Sequence, residues 1–166
     1  YEDYFFNLAY IEYAASMAVS SCTGYYYNKR MNQSLTKQFV PNYFKLSRKR
    51  VVTMADAYRR WGLYNEKVRN RSGQRYLRYT FSALMRNNEK EAHMSHVMKR
   101  KWVKSLLRDE FYLYVVKDSR VSSGYLHILQ KMLNMHFIEG CLLMGKLLYL
   151  LKSRMPQVYN KKGQIH

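Results

Sequence analysis

Apolar residues recur along most of this chain at steps of three and four, the period of a helix with one buried face. Alternation of the strand kind is confined to short runs such as Phe111 to Val116. The first helical pattern follows Glu2 and Asp3, whose carboxylates suit the positive end of a helix dipole. It carries Phe5, Leu8, Ala9, Tyr13, Met17 and Ser20 toward Gly24. Asn7 and Glu12 interrupt it, which predicts a buried core helix rather than a membrane span. Beyond the polar stretch Asn28 to Gln33 a long pattern runs to Arg71, with Pro41 in its first turn or kinking it. Phe44, Val51, Met54, Tyr58, Trp61 and Val68 share its seam, and Ser72-Gly73 is expected to end it.

A shorter helix follows, from about Arg75 to Asn87, with Leu77, Phe81, Leu84 and Met85 inward and Arg75, Arg78 and Arg86 outward. Another long one is expected from about Lys90 to Lys117, its inner face marked by Met94, Val97, Met98, Trp102 and Leu106. The last, about Ser123 to Arg154, grows more apolar as it proceeds and stops before Pro156. These patterns predict an all-α fold: a bundle of about five helices, two of them long, in a single domain over residues 1–166.

Charge changes the picture. The chain holds 29 Lys and Arg against 11 Asp and Glu, a net charge of +18, yet 48% of its residues are apolar and 17 are tyrosine. A solvated basic tail lacks such apolar content, and an ordinary globular enzyme lacks such charge. A folded core that also binds polyanionic surfaces satisfies both. Lys45, Arg48, Lys49, Arg59, Arg60 and Lys67 lie mostly off the seam of the second helix, and Arg100, Lys104 and Arg108 repeat every four residues as a basic stripe. Between Arg59 and Lys67 the only acid is Glu66, and from Lys99 to Arg108 there is none. Ordinary solvated faces mix signs, so these tracks read as binding surfaces.

Between Gly140 and Leu151, leucines at Leu142, Leu143, Leu147, Leu148, Leu150 and Leu151 cover more than one helix face. The segment is too short for a typical span, which leaves two readings: a buried central helix, or an apolar surface that inserts into a membrane interface or meets a partner.

Candidate chemistry is sparse. His93 and His96 stand one turn apart with Glu89 before them, so a metal site can be drawn, but two histidines without a second pair are more often surface residues. Ser95 has no nucleophile geometry, and no glycine loop or nucleophile elbow is present, so no catalytic site, metal or cofactor is expected. Cys22 and Cys141 would close one long loop, worth at most about 5 kcal/mol, or are two small buried hydrophobes. Sequons at Asn32-Gln33-Ser34 and Asn70-Arg71-Ser72 are expected in loops between helices.

The order Tyr43-Phe44, Arg48-Lys49-Arg50, Thr53, Tyr58 and Trp61, followed by Phe111-Tyr112, Lys117-Asp118, Tyr125-Leu126 and Asn134-Met135, resembles the abalone sperm lysin family. The leucine-rich extension and the apolar, basic composition are closest in character to its fusagenic acrosomal branch. The resemblance implies a five-helix bundle secreted into the sperm acrosomal vesicle and acting at fertilization without enzymatic chemistry. It places the Lys45 to Lys67 set in one basic track and Arg100, Lys104 and Arg108 in the other. The partner it implies is the egg plasma membrane or another anionic lipid surface, with promotion of sperm–egg membrane fusion. A lysin-type dissolution of the vitelline envelope through its glycoprotein is the alternative, and a homodimer is compatible with either. A basic nucleic-acid-binding protein is the rival from another class.

Overall fold

Where the periodicity reads as one long helix, a single backbone geometry divides it. Gly62 takes φ +69, a left-handed value that costs an L side chain about 1–2 kcal/mol, and the helix ends there. The computed structural model describes residues 2–16, 18, 21 and 39–154, and all regular structure among them is helical. The chain divides into two units, Tyr1–Val40 and Pro41–His166.

In the first unit α1 spans Glu2–Tyr13, ending well before Gly24, with Tyr13 exposed rather than inward. Two ring pairs, Tyr4 with Phe5 and Phe6 with Tyr10, line it. Met17 and Ser20, expected on its inner face, lie outside the described residues, as do Cys22 and the Asn32 sequon.

The second unit is a helical bundle. Its α2 (Tyr43–Arg60) starts after Asn42, which turns into the left-handed region at φ 55, so Pro41 stands ahead of the helix and kinks nothing. The next helix, α3 (Glu66–Arg86), is capped by Asn65, whose side chain accepts the Val68 N–H at 3.0 Å. Ser72 and Gly73, expected to stop a helix, are buried inside it. They are small because the Ser119 side chain presses on α3 there: a Cβ on Gly73 would meet Ser119 Oγ at 2.2 Å. The expected break at Ser72-Gly73 therefore moves back to Gly62, and two predicted helices become a differently divided pair.

The predicted helix over 90–117 breaks as well. A 3-10 turn at Lys90–Ala92 ends on His93 at φ 48, α4 runs only over His96–Leu106, and Tyr112–Val116 form a π-helical turn. The segment that looked closest to a strand is thus a widened helix. Its C-terminal carbonyls are taken up by α5 (Gly124–Asn134): the Gln130 amide donates to the Val116 and Ser119 carbonyls at 2.8 Å each, and Asn134 donates to that of Lys117 at 3.1 Å. Finally, His136 at φ 56 separates α5 from α6 (Ile138–Arg154), which sequence periodicity joins.

The centre of the bundle is α3, which packs against α2, the π-helical turn, α5 and α6; α6 also meets α4 and α5. Val51, Tyr76, Leu77, Leu84, Val103, Tyr112, Leu129 and Cys141 are among the core residues. Leu77, Leu84 and Met85 face inward as expected, but on α4 Val97 and Met98 are exposed. Trp102 and Leu106 face inward as expected and are joined by Val103, with Trp102 meeting Phe44 of α2 at 5.3 Å between ring centres.

Candidate functional site

Arg48 leaves the predicted basic track. Its guanidinium turns inward and grips Asp109 with two bonds, 2.5 Å from Nε to Oδ2 and 2.7 Å from Nη2 to Oδ1. The Tyr76 hydroxyl, on a fully buried ring, donates to the same carboxylate at 2.9 Å, and the Phe111 N–H donates at 2.9 Å. Burial alone would raise the Asp109 carboxyl, but the bonds from Arg48 and Tyr76 outweigh it and hold the group below the usual carboxylate range. Burial first, and Asp109 second, push the Tyr76 phenol up, while Asp109 raises the Arg48 guanidinium. The three residues tie α2, α3 and the start of the π-helical turn together. Arg48 is a structural cation.

The remaining basic residues sort by helix geometry. Phe44 meets both Tyr76 of α3 and Trp102 of α4, Arg48 meets Asp109 beyond the end of α4, and Tyr43 and Met54 meet Tyr79 and Arg75 of α3. So α2 packs against α3 and touches α4 through the Phe44–Trp102 ring pair. At about 100° per residue, Lys45 and Lys49 each fall one position round the helix from Phe44 and Arg48. Both are exposed. The predicted stripe splits: Arg100 of α4 forms an ion pair with Glu139 of α6, which also has His96 at 3.6 Å, while Lys104 stays exposed on α4 and Arg108 is exposed just beyond its end. Lys101, which the sequence reading did not single out, is also exposed. Lys45 and Lys49 on α2, Lys104 on α4 and Arg108 just beyond it are therefore the cations of the two predicted tracks left on the surface here, with Lys101 of α4 in addition.

Arg59 and Arg60 lie at the other end of α2, where cations suit the helix dipole. Arg59 pairs with Asp56 at 2.6 Å and its guanidinium lies 4.5 Å from the Tyr64 ring centre. Lys67 belongs to α3, beyond the Gly62 turn, and so to a different surface from Lys45 and Lys49. There it heads a stripe that the misplaced helix break concealed: Lys67, Arg71, Arg75 and Arg78 follow at steps of four, four and three, all exposed. Arg86 lies further along α3, its guanidinium 4.5 Å from the Tyr43 ring centre.

The leucine segment divides between the two readings. Gly140, Cys141 and Gly145 are its buried side, and Gly145 lies so close to α3 that a Cβ there would be 2.5 Å from the Leu84 carbonyl oxygen. Leu142, Leu148 and Leu150 are half-buried. Leu143, Leu147 and Leu151, at steps of four, are 58%, 52% and 47% exposed. Lys146 and Arg154 are exposed within the same outward arc, and Met135 and Phe137 are exposed just before the helix. No helix among the described residues is long and apolar enough to cross a membrane.

His93 and His96 do not share a helix face, since His93 ends the 3-10 turn and α4 begins at His96, and Glu89 is engaged by Lys152 at 2.9 Å. Among the described residues no group of three His, Cys, Asp or Glu is placed to hold a metal ion. The Ser95 hydroxyl caps α4 by accepting the Met98 N–H at 3.3 Å. The Asn70 sequon lies in α3 and not in a loop; Asn70 Oδ1 accepts the Arg120 N–H at 2.8 Å and Ser72 is buried. Cys141 is buried, and burial pushes its thiol up to about 11. Comparison with protein-family models, with curated proteins and with solved structures finds no match to this chain.

Proposed function

We propose that this protein attaches to an anionic membrane by charge, inserts one helix face into the interface, and so promotes sperm–egg membrane fusion without enzymatic chemistry. The observation that carries the proposal is the outward face of α6, three half-exposed leucines one turn apart with Lys146 and Arg154 in the same arc. An interfacial helix needs apolar area to bury and cations to snorkel to the headgroups. Full burial of a leucine is worth roughly 1.5–3 kcal/mol, so three that are already half-covered contribute about 3 kcal/mol together. That is too little to anchor a protein alone. Each Lys or Arg near an anionic leaflet adds about 1 kcal/mol, and the exposed cations of α2 and α4 offer several. Neither term suffices without the other.

The setting at fertilization, secretion into the acrosome and the egg membrane as target rest on the resemblance to the lysin family. Dissolution of the vitelline envelope by binding its glycoprotein would use the basic surfaces and leave the leucine face idle. Co-sedimentation with vesicles rich in phosphatidylserine, with neutral vesicles and with isolated envelope separates the two. Retention on anionic vesicles supports the membrane reading, and retention on envelope alone contradicts it.

A further inference from the structure

The outward arc of α3 borders a groove that the membrane reading does not use. A shallow cavity of about 450 Å³ is lined by Glu66, Lys67, Asn70, Arg71, Gln74 and Arg120. A second of about 230 Å³ shares Lys67 and Arg71 and extends the groove to Arg75 and Tyr58. Lys67, Arg71 and Arg78 make no ion pair among the described residues, and successive cations four apart stand about 6 Å along the helix axis. The one carboxylate of the larger cavity, Glu66, faces Arg120 at 3.6 Å. Two amides complete the lining, each anchored by one of its groups: Asn70 Oδ1 holds the Arg120 N–H, and Gln74 Nε2 donates to Ser122 Oγ at 3.1 Å. The Asn70 NH₂ donor and the Gln74 carbonyl acceptor remain for a ligand.

We propose that this groove binds a sulfated polysaccharide, the cations taking successive sulfates and the two amides taking sugar hydroxyls. Arg and Lys pair with sulfate as with phosphate, through charge-assisted bonds. Single-stranded nucleic acid would need rings on which bases stack, and the larger cavity has none; the smaller offers only half-buried Tyr58. A lipid surface would need exposed apolar area, which this arc of α3 lacks. The site is on a different helix from the leucine face and stands independently of membrane binding.

The test is binding of the full chain to heparin, to unsulfated hyaluronan and to single-stranded DNA at about 0.15 M salt, where surface charges are screened beyond roughly 8 Å. Heparin should bind tightest. Lys67→Gln with Arg71→Gln removes two exposed, unpaired cations and should weaken heparin by about tenfold, a loss of roughly 1.4 kcal/mol. Lys90→Gln with Lys131→Gln removes the same charge from exposed positions elsewhere and should change it less than about threefold by screening. Equal losses in the two pairs, or DNA or hyaluronan binding as tightly as heparin, would overturn the proposal and make the binding a property of net charge.

Discussion

At the scale of single residues, Asp109 carries the most consequence. It accepts bonds from α2, from α3 and from the backbone ahead of the π-helical turn. Asp109→Asn keeps the shape but loses the charge that Arg48 and Tyr76 point at, and should cost about 2–3 kcal/mol. The pH dependence follows from the direction of the shift. Because the folded carboxyl lies below its unfolded value, the stability it adds is complete above about pH 4 and is lost as pH falls through the folded pKa. Thermal melts from pH 6 to pH 2 should therefore fall more steeply for the natural chain than for Asp109→Asn, and parallel curves would refute the network. Neither Arg48 nor Asp109 could be assigned this role from sequence, since they are far apart in the chain and Arg48 sits within a basic run that reads as surface. At Asn70 the hydrogen bond to Arg120 and the burial of Ser72 predict a side chain without a glycan. Intact-mass and peptide mapping of the chain expressed through a eukaryotic secretory host check this, and a glycopeptide at Asn70 would contradict it.

At the scale of elements, periodicity located the helices far better than their ends. The seam through Phe44, Val51 and Val68 continues in phase across Gly62, so nothing in the apolar pattern announces the turn there; only the glycine does. The opposite error arose at Ser72-Gly73, where small residues that signal a stop in an isolated helix serve instead to admit Ser119. Tertiary packing overrode a local signal in both cases. Gly145 shows the same logic between helices, since it lets α6 approach the α3 backbone at Leu84. Alanine there gains about 1 kcal/mol of helix propensity but must push two backbones apart, which costs typically 1–3 kcal/mol or more. Denaturant unfolding of Gly145→Ala should show a net loss, and a gain would mean that α6 is looser against α3 than its geometry requires. Trp61, which the seam places inward, is half-buried against Tyr58 at 5.6 Å, so truncating it should cost less than the roughly 3–5 kcal/mol of a fully buried tryptophan.

At the scale of the whole molecule, the all-helical class and the excess of positive charge were legible, because both are sums over many residues. The layout of the candidate surfaces was not, because it depends on which helices are neighbours. Pairing with Asp109 and Glu139 took Arg48 and Arg100 out of the two predicted tracks, the Gly62 turn set Lys67 apart, and packing of α6 on α3 through Gly145 exposed half of the leucines. Attachment by charge predicts that binding to anionic vesicles weakens sharply between about 0.05 M and 0.5 M salt as the screening length shortens. Salt-independent retention would leave the basic surfaces without a role. The central claim, that the outward face of α6 acts on the membrane, is tested most directly by lipid mixing between anionic vesicles. Leu147→Glu replaces a side chain that is 52% exposed, so its melting temperature should stay within the shift of a surface change, about 0.5 kcal/mol, while lipid mixing is lost. Lipid mixing at the natural level with Leu147→Glu folded would show that α6 does not enter the bilayer.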